Sequence, residues 1–140
     1  MTAAQLAALA ELLHLRGPAP ASLERRARLV AQAAVLEGVD PALALAVCVM
    51  ESGMRVRSPR ASLCGCQPYT SGDAAQATCA ARSLRAGLER CGSAEGAVSR
   101  YVWGRCAPSR GRTARRAWWR AHVLGYLRRL AVVRRRIGEA

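Results

Sequence analysis

The run Pro41-Ala-Leu-Ala-Leu-Ala-Val-Cys-Val-Met50 is apolar on every face. A helix made from it has no side to turn toward water, so it must be buried all round. Its start is marked twice: Asp40 offers a side-chain cap, and Pro41 occupies the first helical position, where a missing N–H costs nothing. Gly53 is placed to end it. Any fold open to this chain is organised around that segment.

The remaining periodicity is helical as well. Residues 2–16 carry Leu6, Leu9 and Leu13 at helical spacing. Gly17-Pro18-Ala19-Pro20 breaks that run, and Ser22 is a suitable N-cap for a second helix reaching Glu37, closed by Gly38. Residues 54–72 lack periodicity and contain Pro59, Gly65, Pro68 and Gly72, the composition of a short hairpin or irregular loop. Helical composition returns over Asp73–Arg90 and again over Ser93–Trp103. Ala107–Arg112 reads as a linker, followed by a long amphipathic helix with Trp119, Val123, Tyr126, Leu130, Val133 and Ile137 in steps of four and three. The fold class expected is mainly α, in one compact domain of 140 residues. Its parts are a helical segment over 1–39, a core over 40–106, and a linker with a basic helix over 107–140.

Charge narrows the partners. Twenty-two basic residues against nine acidic ones give +13, which excludes an acidic solvating protein. A hydrophobic fraction of 51% argues against disorder along the whole chain. No run approaches the roughly 18–20 apolar residues of a membrane-spanning helix. Every basic side chain is arginine, and Lys, Asn and Phe are absent, which is the pattern of a GC-rich coding sequence. That bias selects Arg over Lys but does not demand the charge itself. A surface this basic attracts nucleic acid, anionic lipid or the acidic polymers of a bacterial envelope, and composition does not choose among them. The apolar stripe of the last helix can pack on the domain, lie on anionic lipid with Trp118, Trp119 and Tyr126 at the headgroups, or dock a partner chain.

Six cysteines are many for this length and suit a disulfide framework, for which fifteen pairings exist. Metal-ligand spacing is poor: Cys64-Gly65-Cys66 is not a C-x-x-C, and His14 and His122 lie far from it. Cys79 and Cys91 on one helix would stand about 18 Å apart and cannot bond each other. Cys48, inside the apolar run, reads as a buried small hydrophobe. One or two disulfides among the other five are expected, which implies an oxidising setting. The first residues lack the early positive charge of a signal peptide, so delivery by another route is expected.

Glu51 carries the chemistry. It is the only carboxylate between Asp40 and Asp73, and it stands at the end of the apolar helix. Burial and the negative helix end both disfavour its charged form, and a carboxylic acid held protonated near neutrality is what general-acid cleavage of a glycosidic bond requires. A lone glutamate at a helix end is more often a solvated surface group.

The residues downstream of Glu51 change those odds. Glu51-Ser52-Gly53-Met54 leads to Ser58-Pro59-Arg60-Ala61-Ser62-Leu63-Cys64-Gly65-Cys66-Gln67, and later to Gly96-Ala97-Val98-Ser99-Arg100-Tyr101-Val102-Trp103-Gly104. This series resembles the signature of the soluble lytic transglycosylases and goose-type lysozymes. There a catalytic Glu-Ser-Gly ends a buried helix, a Ser-Pro-x-Gly-Ala-x-Gly-Leu-Met-Gln loop shapes the cleft, and Ala-Leu-x-x-Tyr-Asn-x-Gly supplies a tyrosine. The resemblance spans residues 40–106. It departs in a shorter span from Glu51 to Ser58, in Gly65-Cys66-Gln67 where the family has Gly-Leu-Met-Gln, and in Val102 where it has Asn.

The resemblance implies a lysozyme-like fold and cleavage of the β-1,4 bond between N-acetylmuramic acid and N-acetylglucosamine in peptidoglycan, with no metal or other cofactor. Glu51 would be the catalytic acid and then base; Gln67, Tyr101 and Ser58 would contact substrate; Ser52 and Gly65 would support the loop. Cleft cysteines would brace that loop, as in a bond from Cys64 or Cys66 to Cys79, with Cys91–Cys106 a second candidate. Asp73 could activate water for hydrolysis, although capping the next helix is its commoner use. Small size and high charge suit a phage endolysin or a wall-digesting virion component acting at the bacterial cell wall. Two other readings stand beside this one: a catalytically degenerate lysozyme-like part of a virion, and an Arg-rich nucleic-acid-binding protein, which accounts for the charge but not for the Glu51–Gln67–Tyr101 arrangement. Specific nucleic-acid recognition is not expected, whereas envelope polymers, lipid or virion proteins are further candidate partners.

Overall fold

A computed structural model describes residues 21–54, 62–67 and 71–106, and further on 117, 121, 123–125, 127, 128 and 131. The chain is mainly helical, with no strand among the described residues. Four helices follow in order: α1 Ala21–Leu36, α2 Pro41–Ser52, α3 Asp73–Cys91 and α4 Ala94–Trp103. The expected helix over 2–16 lies outside the described residues, and so does any hairpin in 55–61 or 68–70.

α2 is the segment with no polar face. Its residues Ala42 to Val49 are all buried, and each large one contributes about 1.5–3 kcal/mol by leaving water. Asp40 Oδ1 accepts from the Ala42 N–H at 2.9 Å, and Gly53 closes the helix in the left-handed conformation. α1 lays Leu23, Ala27, Val30 and Ala34 against the core at helical spacing. Ser22 lies within α1 rather than preceding it as a cap.

α3 packs against the other three helices. It meets α4 closely because Gly87 has no side chain: a Cβ there would come within 2.9 Å of the Ala97 Cα. Ser93 caps α4 by accepting from the Gly96 N–H at 3.0 Å. The cap of α3 differs from expectation. Gly72 holds the N-cap position without a side-chain bond, while Asp73 sits in the first turn and pairs with Arg26 of α1 at 3.3 Å. The same guanidinium donates to the Met54 carbonyl at 2.8 Å. Arg26 thus joins α1, the end of α2 and the start of α3.

All six cysteines are paired, as Cys48–Cys64, Cys66–Cys79 and Cys91–Cys106. Cys48 is fully buried, as an apolar helix position dictates, but it is also a disulfide partner, and the count is three rather than one or two. The α2 helix delivers its sulfur to the loop that crosses it, a proximity invisible in the sequence. Cys79 and Cys91 share α3 and do not bond each other.

The last segment is helical at 121, 123–125, 127 and 128. Val123 is fully buried in the core, Leu127 packs against it, and Arg128 is exposed. Trp118, Trp119, Tyr126, Leu130, Val133 and Ile137 lie outside the described residues.

Closing a loop of 15 residues by a disulfide restricts the unfolded chain by about 3 kcal/mol. Replacing Cys91 and Cys106 together by alanine is therefore expected to lower the unfolding free energy by about that amount, measured by urea titration.

Candidate functional site

The site begins where α2 ends. Ser52, in the last turn, bridges three main-chain groups: its hydroxyl lies 3.2 Å from the Cys48 carbonyl and 2.7 Å from the Leu63 carbonyl, and accepts from the Met54 N–H at 3.1 Å. The contact with Leu63 ties loop residues 62–67 to the helix that carries Glu51. Met54 comes next in a left-handed conformation, φ 62°, unusual for a side chain with a Cβ. Full burial and its bonds to Ser52 and Arg26 hold it there.

Gln76, on α3, organises the loop from the opposite side. Its side chain is fully buried. Oε1 accepts from the N–H groups of Cys64 and Cys66 at 3.3 and 3.0 Å, while Nε2 donates to the Cys66 carbonyl and to Ser71 Oγ, each at 2.7 Å. One amide therefore satisfies the buried polar groups on both sides of Gly65. Ser62 Oγ accepts from the Gly65 N–H at 3.0 Å. The Cys48–Cys64 and Cys66–Cys79 bridges anchor the two neighbours of Gly65 to α2 and α3.

The result is that Gly65 lies directly beneath the Glu51 carboxylate. A Cβ at Gly65 would stand 2.5 Å from Glu51 Oε2 and 2.7 Å from its Cδ, and φ is +74°. Both the space and the backbone conformation demand glycine.

Glu51 is exposed on its outer side and makes no hydrogen bond or ion pair among the described residues. Other described carboxylates are engaged: Glu24, Glu37, Asp73 and Glu89 pair with arginines, and Asp40 caps α2. The protein packed around Glu51 removes enough water to raise its pKa above the ordinary carboxylate range. Asp73, the residue considered for water activation, is held by Arg26.

A groove of about 340 Å³ opens beside Gly65, lined also by Cys66, Gln67, Cys79, Ser83, Arg100, Tyr101 and Gly104. Gln67 is exposed at its rim. Tyr101 donates its hydroxyl proton to the Cys64 carbonyl, and the Cys66 sulfur, which carries no proton in a disulfide, lies 3.6 Å from the Tyr101 hydroxyl oxygen. Burial, and then the negative charge of Glu51, push the Tyr101 pKa far upward, so the phenol stays protonated. Tyr101 braces the loop and shares the electrostatic field of Glu51.

Of the residues singled out from sequence, Glu51, Ser52, Gly65, Gln67 and Tyr101 come together, while Ser58 lies outside the described residues. Gln76 and Arg100 were not singled out. A glutamine on the inner face of an otherwise small-residue helix is the signal that could have identified Gln76. Among the described residues no cluster of three or more His, Cys, Asp or Glu side chains could hold a metal ion. No protein family, curated protein or solved structure matches the chain.

Replacing Gln76 by leucine strands the main-chain groups of Cys64 and Cys66. Each buried group left unpaired costs about 1–3 kcal/mol, so urea unfolding is expected to report a loss of at least about 2 kcal/mol. For Glu51 the sign runs the other way. Its folded-state pKa lies above 4.5, so the native state holds the proton more tightly than the unfolded chain, and stability declines as pH rises from 4.5 through the raised value. Glu51→Gln removes that decline. Its melting temperature is expected to exceed the parent's at neutral pH, with the gap closing toward pH 4.5 and below.

Proposed function

We propose that this chain is a lysozyme-like glycosidase that cleaves the β-1,4 bond between N-acetylmuramic acid and N-acetylglucosamine in peptidoglycan, with Glu51 as its single acid and base. The observation that carries the reading is the placement of Glu51. It is a carboxylate with a raised pKa and no protein partner among the described residues, seated over a glycine at the edge of a groove. A carboxylate with no partner among the described residues, whose charged form is disfavoured by burial, suits a group that gives and then takes back a proton.

In the reaction, Glu51 donates that proton to the glycosidic oxygen as the bond to the muramyl C1 breaks. The carboxylate so formed then takes the proton from the muramyl C6 hydroxyl, whose oxygen closes on C1 to give a 1,6-anhydro ring. This route uses one carboxylate for both steps, unlike the paired carboxylates of most glycosidases. It suits a site where the other acidic residue considered, Asp73, is neutralised by Arg26. Tyr101, kept as a phenol, adds no second negative charge that would compete for the proton. Gln67 at the rim supplies an amide for the sugar's hydroxyl or acetamido groups.

Digestion of purified peptidoglycan with mass analysis of the fragments tests the reading. Anhydro-muramyl ends are expected; reducing ends would mean hydrolysis, and no new fragments would remove the assignment. Glu51→Gln is expected to lower the rate by about 10²–10⁴-fold while all three disulfides remain intact by mass. Undiminished cleavage by that variant would refute the role given to Glu51.

A further inference from the structure

We infer that Arg100 is a carboxylate-recognition site within the groove, and that it selects acid-substituted glycan strands over neutral ones with the same linkage. The inference rests on the glycosidase reading for its choice of ligand but not for its geometry.

The described arginines fall into two groups. Arg25, Arg28, Arg82, Arg85, Arg90, Arg105 and Arg128 are exposed, and a solvated guanidinium needs no partner. Arg26 and Arg100 are half-buried. Arg26 has Asp73 and the Met54 carbonyl. Arg100 has no ion pair among the described residues, and its hydrogen bond there runs from Nη1 to the Ser83 carbonyl at 3.5 Å, beyond the usual 2.7–3.2 Å range. A guanidinium carries five N–H donors in a planar fork. Withdrawing part of it from water without a counter-charge is unfavourable, and a carboxylate bound through two parallel N–H···O contacts removes that penalty.

Position identifies the ligand. Arg100 precedes Tyr101 on α4 and lines the same groove, and among the described lining residues it is the one that carries a charge; Glu51 stands over the groove's edge at Gly65. A chain bound across Gly65 would therefore pass a cation. Strands of N-acetylglucosamine alone have no acidic group to offer it. Strands containing muramic acid carry a carboxylate on the lactyl ether, or on the peptide joined to it.

Equilibrium binding to the intact, oxidised protein tests this without turnover. The probes are the disaccharide of N-acetylglucosamine with N-acetylmuramic acid, and chitobiose as the neutral reference. The acidic disaccharide is expected to bind more tightly, and Arg100→Gln to reduce its advantage about tenfold to hundredfold, the equivalent of a charged hydrogen-bonded pair. Arg100→Lys should restore part of it by returning the charge without the fork. An equal loss for both sugars, or no preference in the parent protein, would overturn the inference. So would an Arg100-dependent preference for single-stranded DNA over the acidic disaccharide. Because no bond is cleaved, failure of the glycosidase reading would show separately, as parent protein that binds the acidic sugar and releases no fragments.

Discussion

The Glu51 carboxylate packs on the bare Cα of Gly65, and the site depends on that approach. A helix end and a loop can come this close only if the loop residue lacks a side chain and takes a positive φ, and both hold here. Neither condition would persist if the loop could drift. Gln76 grips the peptide groups flanking Gly65, Ser52 binds Leu63, and Tyr101 binds Cys64, so the loop is tied to three helices by hydrogen bonds from side chains. Among the described residues, the acid is positioned by what lies beneath it rather than by a bond to its own oxygens.

The disulfides act on the same few residues. Cys64 and Cys66 bracket Gly65, one reaching back to α2 and the other forward to α3. A short loop with few large apolar side chains cannot bury enough area to hold itself on the domain. Covalent links replace that missing area, and they make an oxidising setting a condition for the site's geometry. The distribution of charge is complementary. The chain is strongly basic, but among the described residues Glu24, Glu37, Asp40, Asp73 and Glu89 are committed to structural partners and Glu95 is engaged as well, while Glu51 stands over Gly65 at the groove's edge and the half-buried Arg100 lines it.

Much of this was legible along the chain. The apolar run with its Asp40-Pro41 start specifies α2 almost to the residue, because a helix apolar on every face admits one environment. Breakers, candidate caps and helical composition located α1, α3 and α4. Glu51 stood out as the lone carboxylate at the end of an apolar helix, and Gly65, Gln67 and Tyr101 through the resemblance of their sequence context to a known signature. Cys48 misled because burial and disulfide bonding look alike in an apolar helix: both place a small, greasy side chain inside. Asp73 misled because a carboxylate before a helix is usually its cap, and whether an arginine from another helix reaches it depends on packing.

Sequence alone determined the helical class, the central helix and the candidate acid, because these come from periodicity and from residue chemistry within short stretches. Tertiary structure decided the rest: which cysteines meet, that Gln76 holds the loop, that Tyr101 spends its proton on Cys64, and that Arg26 has an ion-pair partner where Arg100 has none among the described residues. Those outcomes join residues from different helices and loops, and such contacts are set by how the helices cross, a geometry that no local pattern encodes.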